Sequence, residues 1–280
     1  NPEVRRAPGP RAHRGSPLSL TELLESGNHT VILGDPGSGK TTLLQWLALS
    51  HARASLAGAS RVEVPTRQVE LNAGLDELLD IGPTRLPILV RLAKFAEHLD
   101  QAGTEAMGLG DFINSEHVGQ LLHEYLASGE CLRSEPLLVL LDGLDEVPPH
   151  LRHRVVSETQ RLAAESQLAR EGATSAMQII VTSRHSGYRQ ASLRRYFQHA
   201  ALEPLSDQAV ALFVHKWVRA VRRAHTRGMD QSADQLEAAA RDKAELILAA
   251  LHRQTSIEDL ARTPLMLTVI SLVFDETGDF

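Results

Sequence analysis

Short apolar runs alternate with longer segments of helical periodicity along most of the chain, as far as Pro204. Each run is aliphatic or β-branched and too brief for a helix, which indicates a buried strand. The runs cover residues 29–33, 86–92, 137–141, 178–182 and, more weakly, 200–202. Because strands that alternate with helices are joined by right-handed crossovers, the pattern predicts an α/β fold with a five-stranded parallel sheet between helices.

The two ends of the chain have different patterns. Residues 1–17 are rich in proline and arginine and poor in apolar positions, so we expect a flexible linker there, followed by an α/β domain over residues 18–205. From residue 206 the periodicity is helical without a strand candidate, which predicts an all-helical domain over residues 206–280. Its last helix begins near Pro264 and is apolar on nearly every side, so we expect further chain to pack on it.

Composition and charge narrow the class of protein. The chain has 280 residues, 42% of them apolar, and a formal net charge of −6, which argues against a nucleic-acid partner. The single cysteine, Cys131, excludes an internal disulfide and a cysteine-rich zinc site. The longest apolar run, residues 265–274, is shorter than the roughly 20 residues that span a bilayer. We therefore expect a cytoplasmic protein without a membrane span.

A glycine-rich segment lies between the first predicted strand and a predicted helix. It matches the P-loop pattern G-x-x-x-x-G-K-[ST] in full, with the residues Gly34, Asp35, Pro36, Gly37, Ser38, Gly39, Lys40 and Thr41. Glycines let successive backbone N–H groups turn inward, and the helix N-terminus adds positive charge, so the segment can hold phosphate. Lys40 would contact the β- and γ-phosphates, Thr41 would ligate Mg²⁺, and Thr42 would add an α-phosphate contact.

Three acidic residues follow the third apolar run: Asp142 at its carboxyl end, then Asp145 and Glu146. Ligands of open α/β sheets bind at this edge. We assign Asp142 to Mg²⁺ through water, and Glu146 to orienting the attacking water or accepting its proton, with Asp145 as the alternative. Together with the P-loop, these acids predict hydrolysis of a nucleoside triphosphate.

The fourth apolar run ends at the same edge in Arg184, which is placed to sense or neutralise a γ-phosphate. Such a charge-assisted contact is worth about 1.5–3 kcal/mol, enough to favour a triphosphate over a diphosphate. No N-K-x-D tetrapeptide, which would bind guanine, occurs in the sequence. Adenine nucleotide, ATP or ADP, is therefore favoured.

Two further clusters, one of histidines and one of basic residues, are expected to lie on solvated helix faces without a ligand. His150 and His153 share a helix face, but no third ligand stands at metal-site spacing. Lys216, Arg219, Arg223 and Arg227 share one face of a predicted helix in a chain of negative net charge.

The chain resembles the NACHT domain, the nucleotide-binding switch of the STAND class of P-loop NTPases, to which NOD-like receptors belong. The resemblance lies in residues 34–42 as Walker A, 86–92 with Phe95, 137–146 as a Walker B run ending Asp-Gly-Leu-Asp-Glu, and 179–184 as sensor 1. It implies that the sensor-1 strand separates the Walker A and Walker B strands and that a helical lid follows. Residues 262–268 resemble the family's proline-bearing motif, which implies that Pro264 packs near adenine.

The resemblance also implies a function. Family members cycle between a closed ADP form and an open ATP form that self-associates and drives an effector. We therefore expect slow, Mg²⁺-dependent ATP hydrolysis that controls conformation and oligomerisation in signalling or in innate or anti-phage defence. Effector, sensor and winged-helix domains are expected outside this chain, since residues 1–17 are too short for an effector. The alternatives are a constitutive, partner-stimulated ATPase and a nucleotide-stabilised scaffold that does not hydrolyse.

Overall fold

The computed structural model describes residues 4–6, 17–26, 29–66, 77–116, 136–172, 177–189, 192–225 and 233–278. Its strands are β1 (Val4–Arg6), β2 (Pro17–Leu18), β3 (His29–Leu33), β4 (Arg61–Thr66), β5 (Glu77–Pro83), β6 (Leu86–Arg91), β7 (Leu137–Asp142), β8 (Gln178–Ser183) and β9 (Phe197–Leu202). Cys131 and Arg227 lie outside the described residues.

Ten α-helices are described. They are α1 (Leu20–Glu25), α2 (Lys40–Leu56), α3 (Leu92–Ala102), α4 (Leu109–Glu116), α5 (Pro149–Gly172), α6 (His185–Tyr188), α7 (Asp207–His225), α8 (Ala233–Leu251), α9 (Thr255–Leu260) and α10 (Pro264–Thr277). Short 3₁₀ turns cover Gly103–Glu105 and Leu144–Glu146. Among the described helices, none is long and apolar enough to cross a membrane.

The main sheet has the strand order β2-β1-β9-β3-β8-β7-β6. Every pairing from β9 to β6 is parallel, so the predicted five-stranded parallel sheet is confirmed, including its weakest strand. The strand β8 lies between β3 and β7, as the resemblance implied. The carboxyl ends of β3, β7 and β8 therefore meet at one edge of the sheet.

Two strand pairs were not predicted from the sequence. The first pair is β1 and β2, which are antiparallel to each other, and β1 also pairs antiparallel with β9. Residues 4–6, which fall in the segment expected to be a linker, form β1 because the open edge of β9 offers backbone groups that any residue type can pair with. The second is the antiparallel hairpin of β4 and β5.

Apolar side chains alternate along the central strands and so build a core on each face of the sheet. On one face, Val31 and Val139 pack with Phe95 of α3 and Val155 of α5. On the other face, Ile32, Leu138 and Ile180 pack with Leu44 of α2 and with α1. The layers are helix, sheet and helix, so both faces of the central strands are covered by helices.

The helices from α7 onward surround a separate apolar cluster that includes Val214, Ala244, Ile247, Leu267 and Phe274. This cluster supports our proposal of a helical domain that begins near residue 206. The last helix, α10, buries Leu267, Ile270 and Phe274, whereas its Leu265, Val269, Leu272 and Val273 are exposed.

Candidate functional site

The P-loop, residues 34–41, connects β3 to α2 at the carboxyl edge of the sheet. Gly34 donates its N–H to the carbonyl of Ser183 on β8 at 3.2 Å, which ties the start of the loop to the sheet. Gly37 and Gly39 have φ of +76° and +89°, a left-handed conformation that glycine adopts without steric cost. The loop therefore delivers the free N–H groups of the first turn of α2 to the site, where they can bind an anion.

Lys40, the first residue of α2, spans the loop. Its Nζ donates to the carbonyl oxygens of Gly34 at 2.8 Å and Asp35 at 3.0 Å. Burial lowers the pKa of Lys40, and the charges of Asp145, Asp142 and Asp35 oppose that shift. The ammonium group thus lies among backbone and side-chain acceptors at the place where phosphate would enter. Asp35 and Pro36 are exposed, and Ser38 donates its N–H to Asp35 O at 3.2 Å.

Thr41 and Asp142 meet across the sheet edge. The hydroxyl of Thr41 donates to Asp142 Oδ2 at 2.8 Å, although the two residues are far apart in sequence. Hydroxyl and carboxylate oxygens are the ligands that Mg²⁺ prefers, so these two side chains fit a magnesium ion shared with phosphate. Thr42, next on α2, is exposed at the same helix end.

The second oxygen of Asp142 is held by β8. Thr182 donates its hydroxyl to Asp142 Oδ1 at 2.6 Å, and the same hydroxyl accepts the N–H of Gly143 at 3.0 Å. Our sequence reasoning missed Thr182 as a site residue. It depends on the pairing of Leu141 with Val181, a register that the sequence does not show.

The other two acids have separate surroundings. Asp145 binds Arg184: its Oδ1 accepts the backbone N–H of Arg184 at 2.8 Å, and its Oδ2 lies 3.0 Å from Nε. Glu146 is exposed, and a Cβ placed on Gly143 would lie 3.0 Å from its Oε2. Arg152, also missed from the sequence, donates to the carbonyls of Val147 at 2.9 Å and Asp145 at 3.1 Å and so fixes the turn that carries both acids.

The start of α10 touches the P-loop. A Cβ placed on Gly39 would lie 3.6 Å from Cγ of Pro264, and Leu265 donates its N–H to Gly37 O at 3.3 Å. The helical part of the chain therefore contacts the loop directly, and Pro264 stands beside it. Arg262, just before this contact, is paired with Leu205 and Asp207 at the end of the α/β part.

The two other predicted clusters each form an ion pair with a neighbouring helix. His150 is exposed, with Nε2 at 3.5 Å from Asp100 Oδ1, and within the described ranges no group of three or more His, Cys, Asp or Glu side chains could hold a metal ion. On α7, Lys216 is exposed and Arg219 pairs with Glu237 of α8.

Comparison with known families gives a match over about half of the chain. A model of the NACHT domain matches residues 85–221, which include β6, β7, β8 and most of α7. Asp142, Asp145, Glu146 and Arg184 fall inside the match, whereas the P-loop precedes it. None of the curated proteins compared with this chain matches it.

Proposed function

Since the chain belongs to the NACHT family of P-loop NTPases, we propose that it binds ATP and ADP with Mg²⁺ and acts as a switch that hydrolyses ATP slowly. One observation carries the proposal: the 2.8 Å hydrogen bond between Thr41 and Asp142, which brings the end of the P-loop onto the end of β7. A phosphate-binding loop beside an acid from another strand of the same sheet is the arrangement that nucleotide hydrolysis requires.

Each residue of the site has a separate role in this proposal. The P-loop N–H groups and Lys40 would hold the β- and γ-phosphates. Thr41 and Asp142 would hold Mg²⁺, which supplies charge neutralisation of the phosphates when bound. Glu146 would orient a water and accept its proton while the water oxygen bonds to the γ-phosphorus and the bond to the β–γ bridging oxygen breaks. Arg184 would bind the terminal phosphate.

Switching is supported by the contact between α10 and the P-loop. Moving a population from 1:99 to 99:1 takes about 5.5 kcal/mol of differential binding, more than Arg184 alone supplies at about 1.5–3 kcal/mol. The hydrogen bond from Leu265 to Gly37 and the proximity of Pro264 give the helical part a second means of sensing the nucleotide. We propose that Pro264 packs near adenine.

The wider role is proposed from the family. We infer that the chain self-associates on activation and works with effector and sensor domains, in the cytoplasm, in signalling or in innate or anti-phage defence. Adenine nucleotide is its ligand in this proposal, and nucleic acid is not.

The first test replaces Lys40. We expect Lys40→Ala to weaken binding of both ATP and ADP at least about tenfold, because a hydrogen bond to a charged group is worth about 1.5–3 kcal/mol. Isothermal titration calorimetry measures the affinities. The control is Lys216→Ala, since Lys216 is an exposed lysine on α7. Unchanged affinity in Lys40→Ala would contradict the proposal.

Single-turnover hydrolysis distinguishes the switch from the two alternatives. A switch hydrolyses bound ATP slowly and loses that hydrolysis in Glu146→Gln while it still binds ATP. Fast multiple turnovers by the wild-type chain would favour the constitutive ATPase. Behaviour that is the same in wild type and Glu146→Gln would favour the scaffold.

A further inference from the structure

Asp145 has both carboxylate oxygens engaged by one residue, Arg184. Oδ1 accepts the backbone N–H at 2.8 Å, and Oδ2 pairs with Nε at 3.0 Å. Only 11% of the Asp145 side chain is exposed, against 48% of the Arg184 side chain. Asp142 instead accepts from two hydroxyls, and Glu146 is exposed. The partner of Asp145 is therefore the arginine, and a carboxylate used in this way is poorly placed to serve as the proton acceptor.

The ion pair with Asp145 leaves the Nη side of the Arg184 guanidinium group available to a ligand. Because Asp145 binds through Nε, both Nη groups of Arg184 remain, and neither has a hydrogen-bond partner among the residues that the structure describes. These two groups can bind two oxygens of one phosphate. Ser183, the residue before Arg184, accepts the N–H of Gly34 at 3.2 Å, so Arg184 follows β8 at the point where the P-loop begins.

The contact between the two segments is tight. A Cβ placed on Gly187 of α6 would lie 2.5 Å from Cβ of Asp145 and 3.1 Å from its Cα. No side chain fits there, so the turn that carries Asp145 packs directly on the segment that follows Arg184. The position of the Arg184 guanidinium is thus defined by this packing as well as by its charge.

We propose that Asp145 is a positioning residue for Arg184: it holds the guanidinium group by Nε so that the two Nη groups bind the terminal phosphate. Asp145 thereby sets the preference of the site for triphosphate over diphosphate. This inference rests on the proposed function, since it concerns how the same site distinguishes ATP from ADP.

The test uses Asp145→Asn. The asparagine Oδ1 can still accept the backbone N–H of Arg184, but its amide NH₂ replaces the oxygen that binds Nε. We expect the ratio of AMP-PNP affinity to ADP affinity, measured with Mg²⁺ by calorimetry, to fall about tenfold. A purely structural defect would weaken both ligands together and would leave the ratio unchanged.

Arg184→Gln provides the matched background. In that background, Asp145→Asn should change the ratio no further, because the group that Asp145 positions is gone. Gly187→Ala is the second variant: it displaces Asp145 but keeps both charges, and it should lower the ratio as well. A ratio that is unchanged in Asp145→Asn, or that falls equally in the Arg184→Gln background, overturns the inference. If the wild-type chain binds neither nucleotide, the proposed function fails and the inference with it.

Discussion

At the scale of single residues, the site depends on how the two oxygens of Asp142 are used. Oδ1 is occupied by Thr182, while Oδ2 meets only the hydroxyl of Thr41 among the described residues. Thr182 also accepts the N–H of Gly143, a residue at φ +79° that begins the turn carrying Asp145 and Glu146. One hydroxyl therefore fixes both the carboxylate and the start of the acidic turn.

Thr182→Val tests this position. Valine keeps the shape of threonine but removes the hydroxyl, so Asp142 Oδ1 and the N–H of Gly143 lose their shared partner. We expect the affinity of the nucleotide complex for Mg²⁺ to fall about 10–100-fold, the usual effect of losing a residue that orients a metal ligand. A Mg²⁺ titration with fluorescent ADP measures it. Thr182→Ser, which keeps the hydroxyl, should behave close to wild type; an equal loss in both variants would show that the hydroxyl is not responsible.

The sequence allowed prediction of the part of the site whose geometry is local. Gly34 to Thr41 are contiguous, so the motif alone defines how they bend, and a strand and a helix flank them as predicted. The role of Thr182 depends on strand register, and the pairing of Asp145 with Arg184 depends on how one short turn packs on α6. Neither is visible in sequence spacing, which is why the sequence leaves Asp145 as an alternative to Glu146.

At the scale of elements, the predicted strands are those that are apolar and buried on both faces, such as β7 and β8. In β4 the charged Arg61 and Glu63 alternate with valines, which is typical of a half-buried strand, but Pro65 ends this alternation after four residues, too short a run to be predicted. Yet Val62 of β4 and Ile81 of β5 are fully buried in the same cluster as α1 and α2. The hairpin is thus stabilised by packing on α1 and α2, and the short pattern does not show which elements cover it.

The helix α2 contains a buried histidine that links it to the entry of β6. His51 is fully buried, and its Nδ1 accepts the backbone N–H of Arg85 at 3.2 Å, so the proton is on Nε2. Burial and, to a lesser extent, the nearby charge of Arg85 together lower the pKa of His51 to about 4. The folded chain therefore requires the neutral imidazole.

This predicts a pH-dependent stability. Above the ordinary pKa of 6.5, His51 is neutral in both states and has no effect. As the pH falls below that value, the unfolded chain binds a proton that the folded chain excludes until about pH 4, so stability is lost. Between about pH 7.5 and about pH 5 we expect wild type to lose about 2 kcal/mol more than His51→Asn, whose Oδ1 can still accept from Arg85. Urea unfolding at both pH values measures the difference. Equal losses would contradict the prediction.

At the scale of the whole molecule, two contacts connect the α/β part to the helices. The guanidinium group of Arg262 donates to the carbonyl oxygen of Leu205 at 3.2 Å and pairs with Asp207 Oδ1 at 2.9 Å. The backbone carbonyl of Arg262 accepts the N–H of Leu205 at 2.8 Å. A few residues later, Leu265 reaches the P-loop. The segment of residues 262–265 therefore lies between the joint of the two parts and the loop that would hold phosphate. A change at the loop can act on the whole helical part through it.

Gly37→Ala tests this connection. A Cβ on Gly37 would lie 2.8 Å from Cβ of Leu265, so the variant must push α10 away and break the bond from Leu265 N–H to Gly37 O. That N–H is in the first turn of α10 and has no partner within its own helix. Without nucleotide, we expect its hydrogen exchange to accelerate about fivefold to tenfold, as loss of one hydrogen bond predicts.

Gly39→Ala is the matched control for that experiment. Gly39 also has a positive φ, so alanine costs about 1 kcal/mol of backbone strain at either position. Its added Cβ, however, would lie at an ordinary 3.6 Å from Pro264 and would leave α10 in place. Exchange in the first turn of α10 should therefore stay at the wild-type rate in Gly39→Ala. Equal acceleration in both variants would attribute the effect to strain in the loop, and the helical part would then have no direct means of sensing the nucleotide.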